Sequence, residues 1–347
     1  MQNLKKNILL LFITFFFIKG YSQDIHFSQF FADPISYNPA NVGFFNGNYR
    51  LGVNHKEQWP WAAKGKYTNY NTTSAYADFS ILDNKINEID WAGIGVNFIN
   101  DQAGDGNLRS NKVAFGLAYH KGLDRYHKHF ISLGFTFSYV NRAINFKELY
   151  FNNQWEERVG FVAELPNLEN LATENYSYFD MGIGLQGRNV VSQSLKLTYG
   201  LSILHLNQPK ETFYDQSNVL GIRYLFHVVA EYKINDKLDL QGSAYFTFQK
   251  ETYETLFGAL LSTELQSNSK KNSQKLLVGV FYRWNDALAP MVGYEYHRTR
   301  ILMNFDVNLS KLSQASKGNG GFELSIVHVG FWNNKLPSEK KMNCYSF

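Results

Sequence analysis

The sequence predicts an all-β chain: a transmembrane outer-membrane antiparallel β-barrel of 14 strands, preceded by a short segment that folds against it. Three observations carry this expectation. Aromatic residues make up 16% of the 347 residues and charged residues only 18%, against roughly 25% charged in ordinary soluble domains. Apolar and small polar residues alternate with period two along much of the chain, while helical spacing is rare. The only long apolar run lies at the very start and is too short for a spanning helix.

That run comes first. Lys5 and Lys6 precede an apolar stretch from Ile8 to Ile18, broken by Thr14, and Gly20-Tyr21-Ser22 follows. A basic start, an apolar middle and a small-residue cleavage site describe a secretory signal peptide over 1–22, with Gln23 as the mature terminus. No cysteine follows the cleavage site, so no lipid anchor is expected. Removing Lys5, Lys6 and Lys19 lowers the formal charge from +4 to +1, which leaves no basic stripe for nucleic acid. The aromatic, charge-poor balance excludes a disordered chain. The single Cys344 excludes an internal disulfide framework and a multi-thiolate zinc site.

Residues 23–47 form the second element. Pro34 and Pro39 forbid a regular strand or a long helix there. The aromatics of the same stretch need a dry place to go, so it reads as an N-terminal periplasmic plug or brace. Phe30, Phe31 and Tyr37 are the expected anchors, inside or across the periplasmic mouth, with Gln29 and Asn38 bonding to the barrel. Asn38-Pro39 is a turn-forming pair, and Gly43 can supply a positive φ before the first strand.

The barrel is expected over 48–332. Candidate strands are Asn48–Gln58, Thr72–Leu82, Trp91–Asn100, Lys112–Gly122, His129–Arg142, Tyr176–Arg188 and Leu195–Leu206. They continue with Gly221–Tyr232, Lys237–Lys250, Leu256–Leu265, Lys275–Trp284, Leu288–Arg298, Arg300–Ser310 and Gly320–Trp332. Alternation is cleanest in three of them. Phe135, Phe246 and Phe305 lie on apolar faces and should meet lipid, with Thr136, Ser243 and Asp306 turned to the lumen. Leu256–Leu265 and the last strand alternate poorly, so twelve or sixteen strands also fit. The early connections alternate long and short, placing the N-terminal end and short turns in the periplasm. The rule fails at Gln266–Gln274, long on the short side, and at Asn285–Ala287, short on the long side, as though a strand nearby were misassigned. Residues 333–347 read as a C-terminal periplasmic tail.

Few residues suggest chemistry. His127 and His129 flank Lys128, but no third ligand is near, and a polar turn explains them. Asp101 to Asn107 looks like half a calcium loop without its closing Glu, and a glycine-rich loop explains it. His297 and His328 have no serine in a recognisable hydrolase motif. No nucleotide-binding or nucleophile-elbow motif is present. Hence no catalytic, metal-binding or cofactor-binding residue, and no enzymatic activity, is expected.

The run from Gln23 to Gly43, Gln-Asp-x-x-Phe-Ser-Gln-Phe-x-x-x-Pro-x-x-x-Asn-Pro-Ala-x-x-Gly, resembles the opening of the PorP/SprF family of outer-membrane proteins. Tyr49-Arg50 with Gln58-Trp59, and Gly320-Gly321-Phe322-Glu323-Leu324-Ser325, look similar to further family motifs. The chain ends Cys344-Tyr345-Ser346-Phe347, without the proline of the family's Cys-Pro-x-Phe ending. The resemblance implies a non-catalytic barrel of type IX secretion and gliding motility. Its implied partners are a secreted surface adhesin with a C-terminal secretion signal, or periplasmic ring lipoproteins and a peptidoglycan-binding subunit. The alternative from a different class is a transport channel for small or hydrophobic molecules.

Overall fold

The structure, a computed structural model, describes residues 25–332 apart from 60–69, 84, 87–88, 105, 163, 167–172, 214–217, 268–272 and 312. The expected signal peptide and the tail with Cys344 lie outside the described residues.

Fourteen strands close into one antiparallel barrel, β1 pairing with both β2 and β16. In chain order they are β1 (Tyr49–Gln58), β2 (Tyr70–Ile81), β3 (Trp91–Ala103), β4 (Leu108–Gly122) and β5 (His129–Ala143), then β8 (Asn175–Val190) and β9 (Leu195–Leu204). The rest are β10 (Arg223–Asn235), β11 (Leu238–Gln249), β12 (Thr252–Ser267), β13 (Ser273–Arg283), β14 (Ala287–Tyr296), β15 (Thr299–Asn308) and β16 (Asn319–Gly330). β6 (Trp155–Glu156) and β7 (Gly160–Phe161) make a separate small hairpin inside the longest connection. Closure leaves no strand edge unpaired, the condition for a sheet to sit in lipid.

Each expected strand has its counterpart, and none is misassigned. The connection that looked long at 266–274 shrinks to 268–272, because β12 runs on to Ser267 and β13 begins at Ser273. The barrel therefore has a short-turn end, with connections 82–90, 123–128, 191–194, 236–237, 268–272 and 297–298. The opposite end carries the longest connections, 59–69, 144–174, 205–222 and 309–318, together with the tight turns 104–107, 250–251 and 284–286. Local chemistry makes the tight turns. Between β4 and β5 the Asp124 carboxylate accepts hydrogen bonds from the N–H groups of Tyr126, Lys128 and His129. Partial burial would raise its pKa, but these three donors hold it below the usual carboxylate value. His127 of this turn has φ +54° and His129 Nδ1 pairs with Asn189, which is how that histidine pair is used. Between β14 and β15, His297 and Arg298 both take positive φ, as a two-residue hairpin requires.

The exposed faces of the strands are the apolar ones. Phe135 and Phe246 stay 50% and 44% exposed, while Ser243 and Asp306 are buried toward the interior. Phe305 and Thr136 are half-buried. Among the described residues no helix is long and apolar enough to cross a membrane.

The interior is not uniformly polar, which corrects the simplest reading of the alternation. Leu225, Leu256, Leu260, Leu277, Phe281, Met291, Leu302 and Val327 form one buried apolar cluster on the inward faces of β10 and β12 to β16. β12 carries Phe257 and Leu261 outside as well as Leu256 and Leu260 inside. A strand that is dry on both faces loses its alternation.

Candidate functional site: an occupied lumen

Much of the interior is taken up by the chain itself, with a cavity lined by Lys196, Glu231, Gln241, Ser262, Lys275 and Arg300 left toward the short turns. Residues 27–45 are almost entirely buried and touch strands all round the barrel. They follow no regular element for long: a 3-10 turn at Phe30–Ala32, one helical turn at Pro34–Tyr37 and a second 3-10 turn at Pro39–Asn41. Proline sits at the first position of each of the last two turns, where its missing N–H costs nothing.

The head of the segment is held by polar groups. The Glu323 carboxylate accepts from two successive backbone N–H groups, Ser28 at 2.8 Å and Gln29 at 3.0 Å. Gln29 Nε2 donates to Asn304 Oδ1 at 2.6 Å, and its Oε1 accepts from the Ser325 hydroxyl. The Ser28 hydroxyl donates to Asp306, which also takes Arg283 Nη2 at 2.9 Å. Lys56 completes the cluster, 3.2 Å from Glu323 and donating to the His26 carbonyl. Buried charges are tolerable here because each is paired and hydrogen-bonded.

Below the head, aromatic packing takes over. Phe30 meets Tyr245 edge-on at 5.0 Å, and Phe31 lies against Phe281 at 5.5 Å. Tyr37 packs on Phe30 and, at 5.0 Å, on His227. Asp33 faces the other way and accepts from the Ser74 hydroxyl and from Asn97 Nδ2, at 2.5 and 2.7 Å.

The foot rests on glycines. Asn38 caps the following turn by accepting from Ala40 N–H, and its Nδ2 donates to the Leu185 carbonyl at 3.2 Å. A Cβ on Gly184 would fall 1.9 Å from Asn38 Oδ1, and one on Gly134 2.3 Å from the Pro39 backbone. Gly93 and Gly116 make room for Val42 in the same way. Gly43, at φ +72°, donates its N–H to Asp78, which Arg50 also grips through two nitrogens. Trp91 Nε1 donates to the Gly43 carbonyl and His120 Nε2 to that of Val42.

All six residues singled out in the sequence, Gln29, Phe30, Phe31, Tyr37, Asn38 and Pro39, lie in this contact zone. Phe30, Phe31 and Tyr37 sit in the half of the lumen nearer the long connections rather than at the mouth where β1 begins. Sequence reasoning missed Ser28, Asp33 and Val42, and every partner on the barrel wall. Arg50, Asp78, Asp306 and Glu323 carried a usable signal: full charges at inward register positions otherwise held by small residues. Among the described residues no group of three or more His, Cys, Asp or Glu side chains is arranged to hold a metal.

Fold and interior together define a membrane β-barrel with residues 27–45 packed inside it. Residues 19–328 match the family model described as type IX secretion system membrane protein PorP/SprF. The chain belongs to that family, and its barrel is an outer-membrane one. Among solved structures it is similar to the Ralstonia pickettii toluene transporter TbuX, with 10% identity over 85% of this chain and 92% of that one, at a TM-score of 0.50. It is also similar to the Pseudomonas putida toluene transporter TodX, with 10% identity, 89% and 94% coverage and a TM-score of 0.49. A Pseudomonas aeruginosa FadL homologue gives 10%, 84% and 92%, and 0.45. At such identity the likeness to TbuX speaks for the fold alone. No curated protein sequence matches the chain significantly.

Proposed function

We propose that this protein is a non-catalytic outer-membrane barrel of type IX secretion whose segment from Gln23 to Gly43 closes the lumen and takes part in docking a secretion partner. The single observation that carries this reading is the occupied interior. Gln29, Phe30, Phe31, Tyr37, Asn38 and Pro39 stand inside the barrel, where a standing water-filled pore would have to run. The partner is a surface adhesin with a C-terminal secretion signal or a periplasmic ring lipoprotein, on the strength of the family. The long connections face the exterior and the short turns the periplasm, as in outer-membrane barrels generally.

The test is deletion of Asp24–Ala40 followed by two measurements. Secretion of the partner should be lost, and the inserted barrel should carry steady current in a planar bilayer. A truncated barrel that still supports secretion and stays closed to ions would remove both halves of the proposal. Large stable currents from the intact protein would instead favour a transport channel.

A further inference from the structure

The segment runs the length of the lumen, and its direction is unexpected for a chain whose first strand starts at the short-turn end. The foot lies at that end: Trp91 begins β3, His120 is near the end of β4, and Asn48 leads directly into β1. The head lies at the other end. Glu254, 3.5 Å from His26, is close to the start of β12; Arg283 ends β13; Asp306 and Glu323 sit where β15 ends and β16 starts. The described segment therefore starts among the long connections and descends to the short turns.

We infer that the head of the segment opens at the long-loop mouth, on the cell-surface side, and is the end of the segment that can come free of the lumen. The outward placement of the long loops rests on the proposed function; the position of the head relative to those loops does not. The two ends of the segment differ in kind. The foot is continuous with β1, which is paired on both sides, and it is wedged against glycines whose backbone neighbours leave no slack. Among the described residues the head joins no barrel strand on its amino-terminal side, and Ser28 and Gln29 are held by hydrogen bonds that water can replace. Release is open only toward the long loops, where Ile25 and His26, both half-buried, are the described residues nearest the mouth.

The experiment uses the full chain with Cys344→Ser and one new cysteine at a time. Ile25→Cys reports the head, Val159→Cys the long-loop side and Tyr126→Cys the short-turn side; Val159 and Tyr126 are 71% and 78% exposed. Intact cells are treated with a bulky, membrane-impermeant polyethylene-glycol maleimide, before and after the outer membrane is permeabilised. Ile25→Cys and Val159→Cys should gain the mass shift in intact cells, and Tyr126→Cys only after permeabilisation. Labelling of Ile25→Cys only in company with Tyr126→Cys, or under neither condition, would overturn the inference. If Tyr126→Cys alone labels in intact cells, the outward placement of the long loops fails and the surface display fails with it. A second measurement reads the grip itself. Adding Glu323→Gln to Gln29→Cys should raise its labelling rate from the long-loop side about tenfold, the factor that one lost charge-assisted hydrogen bond carries. An unchanged rate would sink the claim that the head can come free.

Discussion

The two inner walls of this barrel solve the same problem in opposite ways. The wall from β10 to β16 presents leucines, Phe281 and Met291, and receives Phe30 and Phe31. The wall formed by β2 to β5 with β8 and β9 presents glycines and small polar groups, and receives backbone-rich turns. On the first wall the aromatics are held by apolar area, which is tolerant of direction, and only the head, at the long-loop edge of that wall, is pinned by the polar cluster of Arg283, Asp306 and Glu323. On the second the contact is held by close approach and hydrogen bonds, which are not tolerant of direction. The segment is two-faced to match: aromatics point one way, Asp33 and the Asn38 to Gly43 stretch the other. A lumen that combines the two can hold a peptide tightly in a single register.

Substitutions can separate the walls. The largest effect should come from Phe31→Ala, which opens a cavity in the apolar cluster and should cost about 3–5 kcal/mol. The thermal midpoint of the heat-modifiable gel shift of the purified barrel checks it. A loss below about 1 kcal/mol would mean that the aromatic wall is not what holds the segment.

Gly93→Ala comes next, at about 1–3 kcal/mol, because the new Cβ would lie 2.0 Å from the Val42 carbonyl with backbone on both sides. Gly242→Ala is its control, since a Cβ there meets nothing within 4 Å. Equal midpoints for the two variants would break the claim of a close-fitting wall. A smaller step, about 0.5–2 kcal/mol, is expected for Asn38→Ala, which loses a cap. Its signature should be faster hydrogen exchange at the Ala40 amide, while the packing of Phe31 is unchanged.

The smallest effect lies outside both walls. Asp124 has a depressed pKa in the folded turn, so its stabilisation is complete above the ordinary carboxylate pKa and fades as pH falls through the lower folded value. Titrating the turn amides of Lys128 and His129 by NMR in detergent should show this acid loosening, and Asp124→Asn should abolish the pH dependence. Neither change should alter the filling of the lumen.

The sequence exposed one wall more clearly than the other. Where a strand is wet or glycine-lined inside, as in β5, apolar and small residues alternate and the register can be read directly. Where both faces are dry, as in β12, apolar residues run together and the pattern blurs. The docking segment announced itself through prolines and homeless aromatics. Its seat did not, because a glycine such as Gly184 or Gly134 on an inward face looks like any small lumen residue. Only the third dimension shows that Asn38 and Pro39 need the missing side chains. The charged partners Asp78 and Glu323 could have been suspected from register, but which backbone groups they grip could not.

The pairing of β1 with β16 has a consequence for the order in which the molecule is made. These strands are the first and last of the barrel, and the segment that precedes β1 ends up encircled by the ring they complete. Closing the ring is therefore also an act of capture. Laying the segment inside while the seam is still open spares a chain end from being threaded past Phe281 and the Glu323 cluster. A barrel whose seam closed first would have to take the segment in through one of its mouths, a slower route than enclosing it as β1 meets β16. The timing of one seam then decides by which route the segment comes inside.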